Sequence, residues 1–234
     1  MALDLDYPSL KERHRALRDG FDPSLSLRIH RALSWLQRAE QETDDPDARF
    51  IFLWISFNAA YANEIPADLA RTPEQSRFLQ YLQRLVDVDR EKLLYKLIWE
   101  QFPGPIRLLI DNPYVFKPFW QFQNGHISQS EWETAFSKAK SAAHRALSEG
   151  NSYIVLSIVF QRLYILRNQV VHGGSTWNSA VNREQLNDGV AIMTQLVPLI
   201  IDLLMQHPNE DWGKPIYPVV EDVTTGRGSS ARSA

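Results

Sequence analysis

Residues Asn151 to Gly174 read NSYIVLSIVFQRLYILRNQVVHGG, and this stretch decides the fold. Asn151 or Ser152 can cap a helix start, because a short polar side chain accepts from the free N–H groups of a first turn. An apolar run follows for about five helical turns. The Gly173-Gly174 pair then supplies the left-handed residue that commonly closes a helix. Tyr153, Ile154, Val155, Leu156, Ile158, Val159, Phe160, Leu163, Ile165, Leu166, Val170 and Val171 point in nearly every direction around the axis. A helix that is apolar almost all round is one that other helices surround. Its polar residues are not scattered: Ser157, Gln161, Tyr164, Asn168 and His172 follow at steps of four, three, four and four and so share one face. That face ends at His172, and Arg167 sits five positions before it.

Arg167-Asn168-Gln169-Val170-Val171-His172 is an R-N-x-x-x-H hexapeptide at the end of a long apolar helix, and it resembles the signature of the HEPN superfamily of helical domains. The upstream segment FIFLWISFNAAYANE, with Trp54, Phe57, Asn58 and Tyr61, is similar to the earlier core helix of some members. The resemblance covers roughly residues 24 to 206, rests most firmly on these two helices, and says little about residues 64 to 128. The expected fold is all-α, a compact HEPN-like helical bundle around a buried central helix at about 151–173. Residues 1–207 form one such domain, with 1–23 as an N-terminal extension helix, and 208–234 form an irregular, disordered tail.

The bulk properties agree with one domain. The chain has 234 residues, 44% hydrophobic and 23% charged, enough for a sizeable core. Gly is scarce at 10 residues, and β-branched alternation is hard to find. There is no cysteine, so disulfides and thiolate metal sites are excluded. The start, MALDLDYPSLKERH, has acids where a signal peptide has bases, so the expected location is cytoplasmic. The apolar window Val190 to Met205 is broken by Gln195, Pro198 and Asp202 and falls short of the ~20 residues a bilayer span needs, which makes it a core helix and not a membrane segment. With a net charge of −3 and a pI near 6.1, any contact with RNA is local and not made through a broad basic surface.

In chain order, Pro8 to Asp19 reads as a short charged helix broken by Gly20 and Pro23. Ser24 or Ser26 opens a helix to about Glu42 that buries Leu27, Ala32, Leu33, Trp35, Leu36 and Ala39. The seven Lys or Arg between Lys11 and Arg38 read as a solvated helix face. Asp44 or Asp45 caps the next helix, Asp47 to Asn63, with Pro46 in its first turn. Asn58 is its odd member: an unsatisfied buried amide costs ~1 to 3 kcal/mol, so it either pins two core helices together or lies near Arg167 and His172. Pro66 and Pro73 mark a loop. Thr72-Pro73-Glu74 begins a helix through Val86, and Asp89 opens another through Phe102. Pro103, Pro105, Pro113 and Pro118 leave room only for short helical pieces, at Ile106 to Ile110 and Tyr114 to Phe122. Tyr114, Phe116, Phe119, Trp120 and Phe122 could stack on bases, but such a cluster more often forms a satellite core under a loop, the preferred reading. Ser128 or Ser130 starts a helix to Leu147, with a capping box at Ser130 and Glu133. A polar loop, Ser175 to Ala180, leads to the last helix, Asn182 to Gln206, which Pro198 should bend or divide.

The chemistry narrows to Arg167 and His172. No Gly-rich phosphate loop, H-E-x-x-H pair, G-x-S-x-G elbow or EF-hand pattern is present, and the six histidines have no close metal-ligand spacing, so no metal or cofactor is expected. Cleaving RNA without a metal needs a group that takes the 2'-hydroxyl proton, a group that protonates the leaving 5'-oxygen, and positive charge for the phosphorane between them. Histidine suits the proton steps and arginine the phosphate. Residues five apart stand about 140° apart on a helix, whereas Asn168 and His172 nearly align. Arg167 must therefore reach round, or the two must meet across a symmetric pair of chains. The resemblance implies the second: HEPN protomers face each other, and a homodimer cleft would hold two Arg167 and two His172, with Asn168 orienting the phosphate or the imidazole and Asn58 and Tyr164 in support.

Two functions follow from the resemblance. One is a metal-independent endoribonuclease that leaves 2',3'-cyclic phosphate and 5'-hydroxyl ends, a toxin or antiviral defence effector with an antitoxin or defence partner protein. The other is a non-catalytic helical dimerisation module that binds RNA, a nucleotide or a partner protein. HEPN members paired with a nucleotidyltransferase antitoxin often carry a tyrosine two positions after the histidine. Gly174 stands there, which argues against a tyrosine-modifying antitoxin.

Overall fold

Asn151 caps the central helix through its Oδ1, which accepts from the Ile154 N–H at 3.1 Å, and the helix runs Ser152–Val171. In the computed structural model, which describes residues 5–62, 74–180 and 183–218, with the side chains of 74–77 excepted, this is α9 of ten α-helices. The others are α1 (Tyr7–Leu17), α2 (Pro23–Gln41), α3 (Pro46–Tyr61), α4 (Glu74–Val88), α5 (Leu93–Lys96), α6 (Pro103–Asp111), α7 (Lys117–Gln123), α8 (Gln129–Ser148) and α10 (Arg183–Gln206). The protein is all-α. The positions expected at Asn63, Pro66, Thr72, Pro73 and Asn182, and the tail beyond residue 218, lie outside the described residues.

The core is built on α3, flanked by α2, α10 and α9. One face of α2 buries Leu25, Ile29, Ala32, Leu33, Leu36 and Ala39; of the two others expected there, Leu27 is half-buried and Trp35 is 38% exposed with its ring stacked on Phe52 of α3. Small residues let the two helices approach closely enough for the Ser56 hydroxyl of α3 to donate to the Ala32 carbonyl of α2 at 2.7 Å. Against α9, Phe57 meets Phe160 with ring centroids 4.6 Å apart, and Trp54 meets Tyr164 at 6.2 Å. As numbers fall on α3 they rise on α9, so the start of α3 lies beside the end of α9. On the third side α10 crosses at Gly189, where an added Cβ would stand 3.0 Å from Leu166, 3.1 Å from Phe50 and 3.3 Å from Leu163. The helix continues unbroken through Pro198, which does not divide it.

Two basic residues depart from the solvated-face reading. Arg28 is fully buried and donates to the carbonyls of Ala60, Ala62 and Gly213 at 2.8, 3.2 and 3.1 Å. The last carbonyls of a helix have no partner within it, and a cation suits that negative end, so Arg28 closes α3 and ties down the chain after α10. Arg13 pairs with Asp202, which is completely buried on α10 and also accepts from Gln206 at 2.7 Å. Burial raises the Asp202 pKa, and the facing Arg13 opposes that shift.

The segment after residue 207 is irregular but does not hang free as far as it is described. Trp212 is buried, donates from Nε1 to the His207 carbonyl at 2.8 Å and packs edge-on against Tyr81. One large indole supplies the apolar area that the surrounding composition lacks. The α8 capping box also differs from expectation, forming at Ser128 and Glu131 and not at Ser130 and Glu133. The aromatic cluster forms a satellite core, with Phe119 against Trp132 at 5.3 Å and Phe116 against Phe136 at 5.2 Å, between α7 and α8.

Candidate functional site

The end of α9 is fixed by its glycines. The Gly174 N–H donates to the Gln169 carbonyl at 2.7 Å and the Gly173 N–H to Val170 at 3.4 Å, with Gly173 at φ +69°. This paired closure needs a left-handed residue at Gly173. A Cβ at Gly174 would stand 3.1 Å from the Gln169 oxygen, so the close approach needs the second glycine too. The result sets His172 as the cap of α9, exposed, at the carbonyl end of the helix.

Arg167 is half-buried, and its Nη1 donates to the Oδ1 of Asn168 at 2.9 Å. Adjacent residues stand about 100° apart on a helix, so this bond draws the guanidinium round the axis toward the face that Asn168 shares with His172. Among the described residues no carboxylate forms an ion pair with Arg167, and its Nε is buried without a partner. Tyr164 is 46% exposed one turn earlier, its ring resting on the nearly buried Trp54. Asn58 is not part of this group. It follows Phe57, whose ring meets Phe160, so it lies level with the middle of α9, about 10 Å along the axis from Arg167 and about 18 Å from His172. It is half-buried, so solvent can serve its amide.

The chain beyond His172 is bolted to the start of α3. Trp177 donates from Nε1 to Asp45 at 2.9 Å, and Arg183 donates from Nη1 to Asp47 at 2.6 Å and from Nε to the Ser179 carbonyl at 3.1 Å. Asp45 caps α3 by accepting from the Ala48 N–H, and this bond leads the causes that hold its carboxyl below the usual range. On the other flank, Gln169 donates to the Tyr114 carbonyl at 2.6 Å, which brings the half-exposed Tyr114 ring to the same end of α9.

Sequence reading passed over Arg162. It is 4% exposed, its guanidinium lies 4.4 Å over Phe116 and 5.8 Å over Phe136, and its Nη1 reaches the Val115 carbonyl at 3.5 Å. Burial lowers its pKa to about 10. The available signal was an arginine between Val159 and Leu166, on an arc of α9 that is otherwise apolar. Its surroundings make it part of the scaffold.

Chemically, the exposed end of α9 offers an imidazole, a guanidinium not neutralised by an acid, and an amide between them. Among the described residues no three His, Asp or Glu side chains are grouped to share a metal ion. No family model matches the chain, and no curated protein or solved structure is significantly similar to it.

Proposed function

We propose that this chain is a metal-independent endoribonuclease of HEPN type. It acts in the cytoplasm as a homodimer, a toxin or defence effector held in check by a partner protein, and its composite cleft pairs two copies of Arg167 and His172. One observation carries the reading: the Arg167 guanidinium is held by a neighbouring amide and, among the described residues, by no acid, at the end of α9 where His172 is exposed. Arg13, Arg38 and Arg183 meet carboxylates, with Asp202, Glu42 and Asp47, whereas Arg167, like the buried Arg28 and Arg162, meets none among the described residues, and of these three it alone lies at the exposed end of α9. Arg167 keeps its charge for an incoming anion.

In the cleft, a neutral His172 takes the 2'-hydroxyl proton and the partner's imidazolium protonates the leaving 5'-oxygen. Arg167 donates to the phosphorane oxygens. Asn168 holds Arg167 through its carbonyl oxygen and keeps its amide N–H groups for phosphate or imidazole. The exposed Tyr164 and Val171 beside this site also suit a helical dimerisation module without catalysis, the second reading.

Purified protein is expected to cleave single-stranded RNA in the presence of chelator. His172→Ala and Arg167→Ala should each lower the rate by about 10²- to 10⁴-fold while the circular dichroism spectrum and dimer mass stay unchanged. Equal cleavage by wild type and both variants rejects the site. Dimers that never cleave RNA leave the binding module.

A further inference from the structure

Lys11 and Arg15 on α1 and Arg18, the residue that caps its end, are spaced four and three apart and share one face, spanning about 10 Å of the axis. On the adjoining helix His30 is exposed, and its Nδ1 lies 3.1 Å from the Lys11 Nζ. Arg31 follows it and is anchored by a bond from Nη1 to the Tyr217 carbonyl at 2.5 Å. These groups crowd one another. Lys11 has its pKa lowered by burial first and then by Arg15 and Arg18, and His30 by burial and then by Lys11, Arg18 and Arg31.

The nearby acids do little to neutralise this face. Asp6 and Asp22 are used as helix caps, accepting from the Ser9 and Ser24 N–H groups. Glu40 accepts from the Tyr7 N–H. Asp19 stands 3.7 Å from Arg18 with 95% of its side chain exposed, and Glu12 is exposed on the next residue of α1. A self-repelling group of cations on a chain of net charge −3 is a local feature, not a consequence of a basic composition. It is spread along a helix instead of gathered in a cavity, so it fits an extended polyanion. Leu17 is exposed beside it, and a single such residue is too little apolar surface to anchor a membrane-bound helix.

We propose that this face of α1 and α2, formed by Lys11, Arg15, Arg18, His30 and Arg31, binds the phosphate backbone of a single RNA strand, apart from the Arg167 and His172 end of α9. The choice of RNA rests on the ribonuclease reading, whereas the charge argument does not. Since α1 packs on α2 and α10, and α3 lies between α2 and α9, the two places would touch different parts of one strand.

The test uses the full chain carrying His172→Ala, so that binding is read without cleavage, and a fluorescein-labelled uridine oligomer of about 20 nucleotides. Anisotropy is followed from about 50 to 200 mM salt. Adding Lys11→Gln, Arg15→Glu and Arg18→Glu together should weaken binding at the lower salt by about tenfold or more and reduce the slope of log affinity against log salt by about 2, three contacts at ~0.7 each. Lys138→Glu on α8 is the control and should leave both unchanged. A matched DNA oligomer that loses affinity in parallel supports backbone contact. Unchanged affinity and slope in the triple variant overturns the proposal, as does an equal loss in the control or no binding by the parent. Phosphatidylserine vesicles that bind the parent while the oligomers do not would assign the face to a membrane and also overturn it. Absence of RNA cleavage by the unmutated protein would sink the ribonuclease reading and leave a positive binding result standing.

Discussion

Acid should weaken this fold through a single imidazole. His14 on α1 is 2% exposed, its Nε2 lies 3.3 Å from the Ser26 hydroxyl, its Nδ1 has no partner among the described residues, and Phe21 stands beside the ring. Burial foremost, then the charges of Lys11, His30 and Arg18, lowers its pKa from 6.5 to about 4. Above pH 6.5 the ring is neutral whether the chain is folded or not, and His14 costs nothing. As pH falls from there toward 4, the unfolded chain takes up a proton that the folded chain refuses, so stability is lost across that window. One pKa unit is worth about 1.4 kcal/mol, which puts the loss between pH 7 and 4.5 at about 2 kcal/mol. Urea unfolding of wild type and His14→Leu at both pH values measures it. His30 and the carboxylates titrate in both proteins, so the difference reports His14 together with its coupling to His30. Wild type should lose about 2 kcal/mol more than His14→Leu on acidification, whatever the substitution does at pH 7. Equal losses would refute the burial argument.

Gly189→Ala sets a helix-propensity gain of about 1 kcal/mol against overpacking of Leu166, Phe50 and Leu163, which costs about 1 to 3 kcal/mol, so calorimetry should show Tm falling by about 3 °C; a rise would mean that α10 can move away from α9. Arg162→Met keeps the packing on Phe116 and Phe136 and removes a buried cation that no acid among the described residues neutralises. Stability by urea unfolding should stay level or rise by about 1 kcal/mol, and a loss above about 2 kcal/mol would show that the guanidinium holds Phe116 and the α8 ring of Phe136 together.

Much of the fold was legible because its signals are local. Asn151 and the double glycine bracket α9 as read, and Asp45 with Pro46 opens α3 as read. Boundaries slipped where two caps compete within a few residues. Ser128 and Ser130 each have a Glu three positions on, and only the bonds formed decide for Ser128. Asp89 was placed at a helix start, but Lys92 takes φ 53° and α5 begins after it, with both Asp89 oxygens accepting from the Leu93 and Leu94 N–H groups. What composition could not give was the fate of single charges. The sequence places Arg162 on an apolar arc of α9, but what buries it and Arg28 are carbonyls and rings brought from far along the chain. At the candidate site, spacing separated Arg167 from His172, and the bond that turns Arg167 toward it comes from the adjacent Asn168, which periodicity does not reveal.

The position of α3 also has a consequence for synthesis. Its partners are α2, which precedes it directly, and α9 and α10, which follow about a hundred residues later. While the ribosome is still making the middle of the chain, α3 has α2 on one side and, at Phe57, the α4 rings of Phe78 and Tyr81, whereas the side that α9 and α10 will cover stays open, so a nascent chain stalled before those two helices presents an oily surface to the cell. Such a chain would be a client for a chaperone until its last long helix arrives.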